Sequence, residues 1–208
     1  QPDNVKDFFR TGTNLVNTLA LEGGNEKSTF RFSYSNTDTK SILENSGLQR
    51  HNFNLRASSQ LSDRLSVDSK ITYFQQQTQN RAVQGTEGIM ANLYDTPRNV
   101  AITDLENYQD LKTFAAVGPT SLGDNPYWVL RHNKNDDSRN RIQGFVKATF
   151  EITDHLSIFG RIGTDYVNQN IESISQFGYW YTQKGSFNFR DYKTAETNAD
   201  LLLMYNNN

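Results

Sequence analysis

The chain has 208 residues, enough for one all-β domain with a sizeable core. Its formal net charge of -2 gives no basic surface that would attract nucleic acid, so we expect no nucleic-acid partner. The absence of cysteine excludes disulfides and thiolate metal sites. No apolar run approaches the ~20 residues of a transmembrane helix, and the first residues do not form a signal peptide.

Alternating apolar and polar residues predict about seven β-strands. The strands are predicted at 13–22, 28–35, 52–61, 65–74, 142–152, 156–163 and 197–205. A glycine-rich turn at 23–27 and tight turns at 62–64 and 153–155 join them into hairpins. All 4 prolines fall outside these runs, as a ladder that needs its N–H groups requires.

The connections alternate between short turns and long loops, the latter predicted at 36–50, 79–138 and 171–193. In an antiparallel meander, the long loops then share one end of the sheet and the short turns share the other. Short periplasmic turns and long extracellular loops are typical of transmembrane β-barrels. Small residues on the apolar face favour the same reading, because a packed core would have voids there. Alternation alone leaves a soluble β-sandwich open as the alternative.

No group of residues forms a pattern for catalysis. The 3 histidines, His51, His132 and His155, lack ligand spacing, and no nucleophile or phosphate-binding motif occurs. Residues 133–137 imitate the start of a Ca²⁺ loop without its glycine and glutamate, so a solvated polar loop is predicted there. We therefore expect no enzyme activity, no cofactor and no metal.

Aromatic clusters in the predicted long loops supply the candidate contact residues. Their rings can stack on sugars, pack on a peptide or touch a partner protein, but an interfacial aromatic belt or packing within the loops is the favoured interpretation. The candidates are Tyr127, Trp128, Phe177, Tyr179, Trp180 and Tyr181. Between these clusters and the fourth strand, the segment 90–100 is predicted to form a short helix that Pro97 ends.

Six segments, in order along nearly the whole chain, carry a family resemblance. They are "NVKDFFRTG" (4–12), "GGNEKSTFRFSYSN" (23–36), "RHNFNLRASSQLSDRLSVDSKITYFQQQTQNR" (50–81), "LYDTPRNV" (93–100), "NPYW" (125–128) and "SRNRIQGFVKATFEITDHLSI" (138–158). Together they resemble the SusC/RagA family of TonB-linked outer-membrane transporters of Bacteroidetes. The resemblance implies that residues 1–208 form an all-β antiparallel meander, part of a transmembrane barrel of roughly 22 strands. No plug domain is visible in them.

The resemblance also implies a function. Such importers take up glycan fragments or peptides in the outer membrane, together with a SusD-like surface lipoprotein that captures the substrate. The TonB complex acts on their plug, and the remaining barrel strands and the outer-membrane lipid surround the segment. The second function considered is a soluble or surface-displayed β-sandwich that binds carbohydrate through the aromatic cluster at 177–181.

Overall fold

Seven antiparallel strands form one sheet in a computed structural model that describes residues 3–85, 88–107, 125–179 and 182–207. The strands are β1 Thr13–Gly24, β2 Ser28–Lys40, β3 Gly47–Ser62, β4 Leu65–Gln79, β5 Lys134–Glu151, β6 Leu156–Ser175 and β7 Ser186–Tyr205. Each strand pairs with the next along the chain, which confirms the predicted meander. The sheet stays open, with β1 and β7 at its edges.

Short helices lie in the connections. They are α1 Asn4–Phe8, α2 Ile89–Asp95, a 3-10 helix at Ile102–Asn107 and α3 Pro126–His132. Helix α2 ends before Pro97, in agreement with the helix predicted at 90–100. Helix α3 was not predicted, although the Asn125 side chain accepts hydrogen bonds from the Tyr127 and Trp128 N–H groups and Pro126 occupies the first turn.

The strands extend further than predicted at one end of the sheet. The loops expected at 36–50 and 171–193 shrink to 41–46 and 176–185, while 80–133 remains long. Residues 134–137, expected in a polar loop, belong to β5, so that prediction was wrong. Residues 134–137 are polar on both faces of β5, so the alternation that marks a strand is absent from them. We call this end of the sheet the loop end, and the opposite end, with turns at 25–27, 63–64 and 152–155, the turn end.

Cross-strand pairing assigns every strand residue to one of two faces. Face A carries the row Leu21, Phe32, Leu55 and Ile71, and face B carries the adjacent row Glu22, Arg31, Arg56 and Lys70. Large apolar side chains of face A are exposed, with Leu19 at 59% and Leu201 at 74% of their full area. Within the described residues, no second sheet packs on this face. That arrangement argues against a β-sandwich.

The buried hydrophobic residues lie outside the sheet. Those that the structure describes cluster in the helices and loops of the loop end, and we call them the loop core: Phe8, Leu43, Ile89, Leu93, Ile102, Leu105, Tyr127, Trp128, Val129, Leu130 and Tyr179. The chain thus covers its loops with each other and leaves the apolar face of its sheet uncovered. This reverses the arrangement of a soluble β-protein, where the sheet face forms the core.

Candidate functional site

An aromatic row crosses face A near the middle of the sheet. Successive strand pairs align Tyr34, Phe53, Tyr73, Ile142 and Tyr166. The ring centroids of Tyr34 and Phe53 are 4.7 Å apart, and those of Phe53 and Tyr73 are 6.1 Å apart. The row divides face A into a part toward the turn end and a part toward the loop end.

Two tyrosines of the aromatic row, Tyr34 and Tyr73, point their hydroxyls toward the loop end. The Tyr34 Oη lies 2.8 Å from Nδ1 of His51, and Tyr73 donates to Oδ1 of Asn140 at 3.2 Å. His51 and Asn140 lie on face A one row closer to the loop end, together with Asn36, Gln75 and Asn168. Each ring therefore has its apolar body on one side of a boundary and its polar tip on the other, the orientation that tyrosine adopts at a membrane surface.

From the aromatic row to the turn end, paired positions on face A carry no charged side chain in the described strands. On β6 this band runs from Tyr166 to Leu156. That length is about 33 Å along the strand, or about 25 Å along a barrel axis at a tilt of about 40°. The lipid-facing band of a transmembrane barrel has this height. We call the surface the apolar band.

Hydroxyl groups within the apolar band are satisfied by neighbouring strands. The Ser69 hydroxyl donates to the Ala57 carbonyl at 3.3 Å, and Thr164 donates to the Glu196 carbonyl at 3.2 Å. The hydroxyls of Ser28 and Ser59 are 2.7 Å apart. Because these bonds use partners inside the sheet, the hydroxyls do not need water, which a lipid-facing surface could not supply.

Face B is charged over the same rows, and its ion pairs cross adjacent strands. Arg56 bonds Asp68 at 3.1 Å, and Nε of Arg161 bonds Asp200 at 2.8 Å. The same face carries two more pairs, Arg31 with Glu22 and Arg141 with Asp165. These side chains are partly to largely exposed, so each pair contributes little to stability. Their concentration on one face indicates a surface that contacts water.

A shallow depression on face B surrounds Gly163. It has a volume of about 470 Å³ and is lined by Lys70, Gln143, Arg161 and Glu196, among others. On face A, beyond the aromatic row, a polar cleft of about 900 Å³ is lined by residues of several strands, including Gln49 and Gln77. Neither cavity contains an apolar pocket of the kind that holds most small ligands.

Arg131 ties the loop core to two other segments of the loop end. Its guanidinium bonds Glu44, in the β2–β3 connection, at 3.1 Å and Glu106, in the 3-10 helix, at 2.8 Å. It also lies 5.5 Å from the ring centre of Tyr127. A single side chain thus connects α3, the β2–β3 turn and the 3-10 helix.

Helix α3 also carries a histidine in a perturbed environment. Burial, followed by the nearby Arg131 charge, lowers the pKa of His132. The His132 ring lies 4.9 Å from Trp128. The packed loop core therefore favours the neutral form of the His132 side chain.

The predicted contact residues occupy different environments. Tyr127 and Trp128 are buried in the loop core, and Tyr179 is buried with them across the β6–β7 connection. Phe177 is 60% exposed. Trp180 and Tyr181 lie outside the described residues. The structure therefore brings three of the six into one packed cluster, and leaves Phe177 facing solvent.

Sequence reasoning missed the two features that organise the molecule. The aromatic row depends on register between strands, which no single strand reveals. Arg131 lies in the last turn of α3 and meets acids far away in sequence, so no local pattern indicated its role. The sequence analysis also did not indicate the polar row beyond the aromatic row, because Asn36, Gln75 and Asn140 lay outside the predicted strands.

Two negative findings concern the residues that the structure describes. No helix among them is long and apolar enough to cross a membrane. No group of three or more His, Asp or Glu side chains in the described ranges has the geometry to hold a metal ion.

The fold is an open section of an antiparallel β-barrel wall. The chain is similar to the RagAB peptide importer solved in an "open-open" state, with a TM-score of 0.76 and 14% sequence identity over 98% of this chain. It is likewise similar to the same importer in a "closed-closed" state, with a TM-score of 0.74 and 15% identity over 98% of this chain.

The chain spans 23% of the length of each of these solved chains. At such identity the likeness establishes the fold alone. No protein-family model matches the chain, and no curated protein does either.

Proposed function

We propose that residues 1–208 form part of the barrel wall of a SusC-like TonB-dependent importer in the bacterial outer membrane, and carry no enzyme activity of their own. One observation carries the proposal: a charge-free, exposed apolar band on face A lies opposite a charged face B over seven strands. A membrane barrel needs this distribution, because lipid excludes charge and a wet lumen accepts it. The sequence resemblance and the similarity to the RagAB importer support the same function.

Face A then contacts lipid and face B lines the lumen. The turn end faces the periplasm and the loop end faces the cell exterior, because outer-membrane barrels keep their short turns inside. The aromatic row marks the outer boundary of the hydrocarbon region. Beyond it the strands continue as an extramembrane sheet beneath the loop core.

The wall is completed by further strands. The backbone edges of β1 and β7 would otherwise remain unpaired in lipid, which costs several kcal/mol per group. By the family resemblance, the rest of the barrel and a plug supply the closure and contact the TonB complex. A SusD-like lipoprotein covers the extracellular mouth in this proposal.

The imported substrate is a glycan fragment or a peptide. The name of the structural neighbour favours the peptide. Exposed Phe177 is the described aromatic best placed for contact with substrate or lipoprotein, whereas the buried Tyr127, Trp128 and Tyr179 support the loop fold. This division of roles is part of the proposal.

Epitope accessibility in cells tests the membrane orientation. One tag is inserted in the turn between Asp63 and Arg64, and another in the loop between Lys184 and Gly185, each in the complete protein. We expect antibody to label the 184–185 tag on intact cells and the 63–64 tag only after the outer membrane is opened. The protein should be recovered from outer membranes in detergent together with a surface lipoprotein.

Recovery in the soluble fraction, or surface labelling at 63–64, would contradict the proposal. A soluble form would favour the alternative function, a carbohydrate-binding β-sandwich. That alternative already requires a second sheet, which the described residues do not contain.

A further inference from the structure

A row of arginines and glutamines crosses face B on the loop-end side of the aromatic row. The register places Arg50, Gln76, Arg139 and Gln169 side by side on β3, β4, β5 and β6. Arg50 is three residues from Phe53 of the aromatic row, or about 10 Å along the strand. Arg50 and Arg139 are partly exposed. In the proposed orientation this arginine row lines the extracellular mouth of the lumen.

Among the described residues, the two arginines donate hydrogen bonds only to neutral amides. Arg50 donates through Nε and Nη2 to Oε1 of Gln76, at 3.2 and 2.8 Å, and its guanidinium lies 5.2 Å from the Phe74 ring centre. Arg139 donates through Nη2 to Oε1 of Gln169 at 3.0 Å. The Arg139 Nε is buried and has no acceptor in the described part of the chain. Each guanidinium has five N–H donors, so several remain unused.

Arginines closer to the turn end have carboxylate partners instead of amides. On the same face, Arg31, Arg56, Arg141 and Arg161 each meet a carboxylate from a neighbouring strand. The carboxylate next to Arg139 along face B is Asp137, which is ion-paired with Arg81. The arginine row therefore keeps a net positive charge that no described residue neutralises.

We propose that Arg50 and Arg139 bind carboxylate groups of the imported ligand, an inference that rests on the proposed importer function. A planar guanidinium recognises carboxylate through paired N–H donors, and glutamine holds that plane in place without neutralising it. Phe74 supports the Arg50 plane in the same way. The arginines lie two strands apart, about 10 Å, so two carboxylates of one extended ligand reach both. The ligand class is an acidic peptide or a glycan that contains uronic acid.

Binding to matched probes tests the proposal, with the complete importer purified from outer membranes together with its lipoprotein. One pair is an aspartate-containing glycine–serine peptide with a free C-terminus and its asparagine analogue with an amidated C-terminus. The other pair is an oligogalacturonate and its methyl ester. The proteins are wild type, the Arg50→Gln/Arg139→Gln double variant, and Lys70→Gln. Lys70 is a matched control because it is a face-B cation that also lacks an ion pair within the described residues.

We expect wild type to bind at least one acidic probe more tightly than its neutral partner, and the double variant to lose about 10- to 100-fold in affinity for that probe, as expected for charge-assisted hydrogen bonds. Lys70→Gln should retain wild-type affinity. Preference for the peptide or for the oligogalacturonate identifies the source of the carboxylate. Arg50→Lys/Arg139→Lys should lose part of the affinity, because ammonium keeps the charge and lacks the fork.

The proposal is overturned if wild type binds neither acidic probe, if it binds acidic and neutral probes equally, or if Lys70→Gln loses as much affinity as the double variant. Heat-modifiable migration on gels confirms that every variant forms a barrel. Failure of the importer function itself would appear separately, as loss of the outer-membrane location or of the tag orientation.

Discussion

The two ends of the sheet are built from the same strands but differ in the polarity of the side chains on their faces. Between the aromatic row and the turn end, face A is free of charge and face B carries crossed ion pairs. Beyond the aromatic row both faces carry charged and carboxamide side chains, such as Lys193 on face A and Arg139 on face B, and the buried apolar residues that the structure describes lie in the loop core. A strand therefore need not keep one pattern of apolar and polar residues along its length, because its surroundings change at the aromatic row.

We expect the largest effect from a substitution that destabilises the loop core and leaves the barrel folded. Trp128→Ala removes a side chain that is only 4% exposed, and we expect the loop core to lose about 3–5 kcal/mol of local stability. Limited proteolysis of intact cells should then cut within 80–133, while the barrel keeps its heat-modifiable migration. Phe177→Ala, at an exposed aromatic of the same end, is the control and should leave cleavage unchanged. Loss of the barrel in Trp128→Ala would show that the two regions are not independent.

A charge introduced on face A should destabilise the protein more than the same charge introduced on face B of the same strand. Val146 lies in the apolar band and Gln143 lies on face B of the same strand. Val146→Arg should destabilise the barrel by about 2–4 kcal/mol, because it places a cation near the middle of the lipid. Gln143→Arg should have little effect. Urea unfolding in lipid vesicles measures both, and equal destabilisation would argue that face A does not meet lipid.

A smaller effect concerns the connection between loop segments. Arg131→Ala removes the ion pairs to Glu44 and Glu106, and we expect a loss of about 1–2 kcal/mol in loop-core stability, since the site is partly exposed. Hydrogen exchange should increase in both the 41–46 connection and the 3-10 helix. Lys193→Ala, which removes a pair with Asp191 within one exposed strand, is the control. Exchange that rises in α3 alone would show that Arg131 does not link the segments.

Sequence patterns were sufficient for the meander because its hairpins are local. Residues 52–74 alternate cleanly about a tight turn, and such a unit predicts its own pairing. The loop-end halves of β6 and β7 escaped prediction because residues such as Asn168 and Lys193 are polar on face A too. Strand pairing is maintained there by neighbouring strands, which is a tertiary effect that overrides local propensity.

The candidate site was less predictable than the fold. The aromatic clusters at 127–128 and 177–181 were visible in sequence, but their burial was not, because it depends on Phe8 and Leu43 from other segments. The aromatic row was equally hidden, since Tyr34, Phe53 and Tyr73 align only after three strands take their register. Sequence patterns identified the residue types, and packing decided which of them meet.

The smallest expected effect uses pH to weaken the loop core alone. Burial lowers the pKa of His132 in the folded chain below its unfolded value of about 6.5. Below that pH the unfolded loop binds more protons than the folded one, so loop-core stability should be complete above it and fall as pH decreases through the folded pKa. Hydrogen exchange of α3, corrected for its intrinsic pH dependence, should rise between pH 7.5 and 5.5 in wild type. His132→Gln should flatten this change, and His155→Gln, at the turn end, should leave it as it is. If the barrel strands showed the same pH response as α3, the two regions would share one unfolding transition and the division at the aromatic row would not extend to stability.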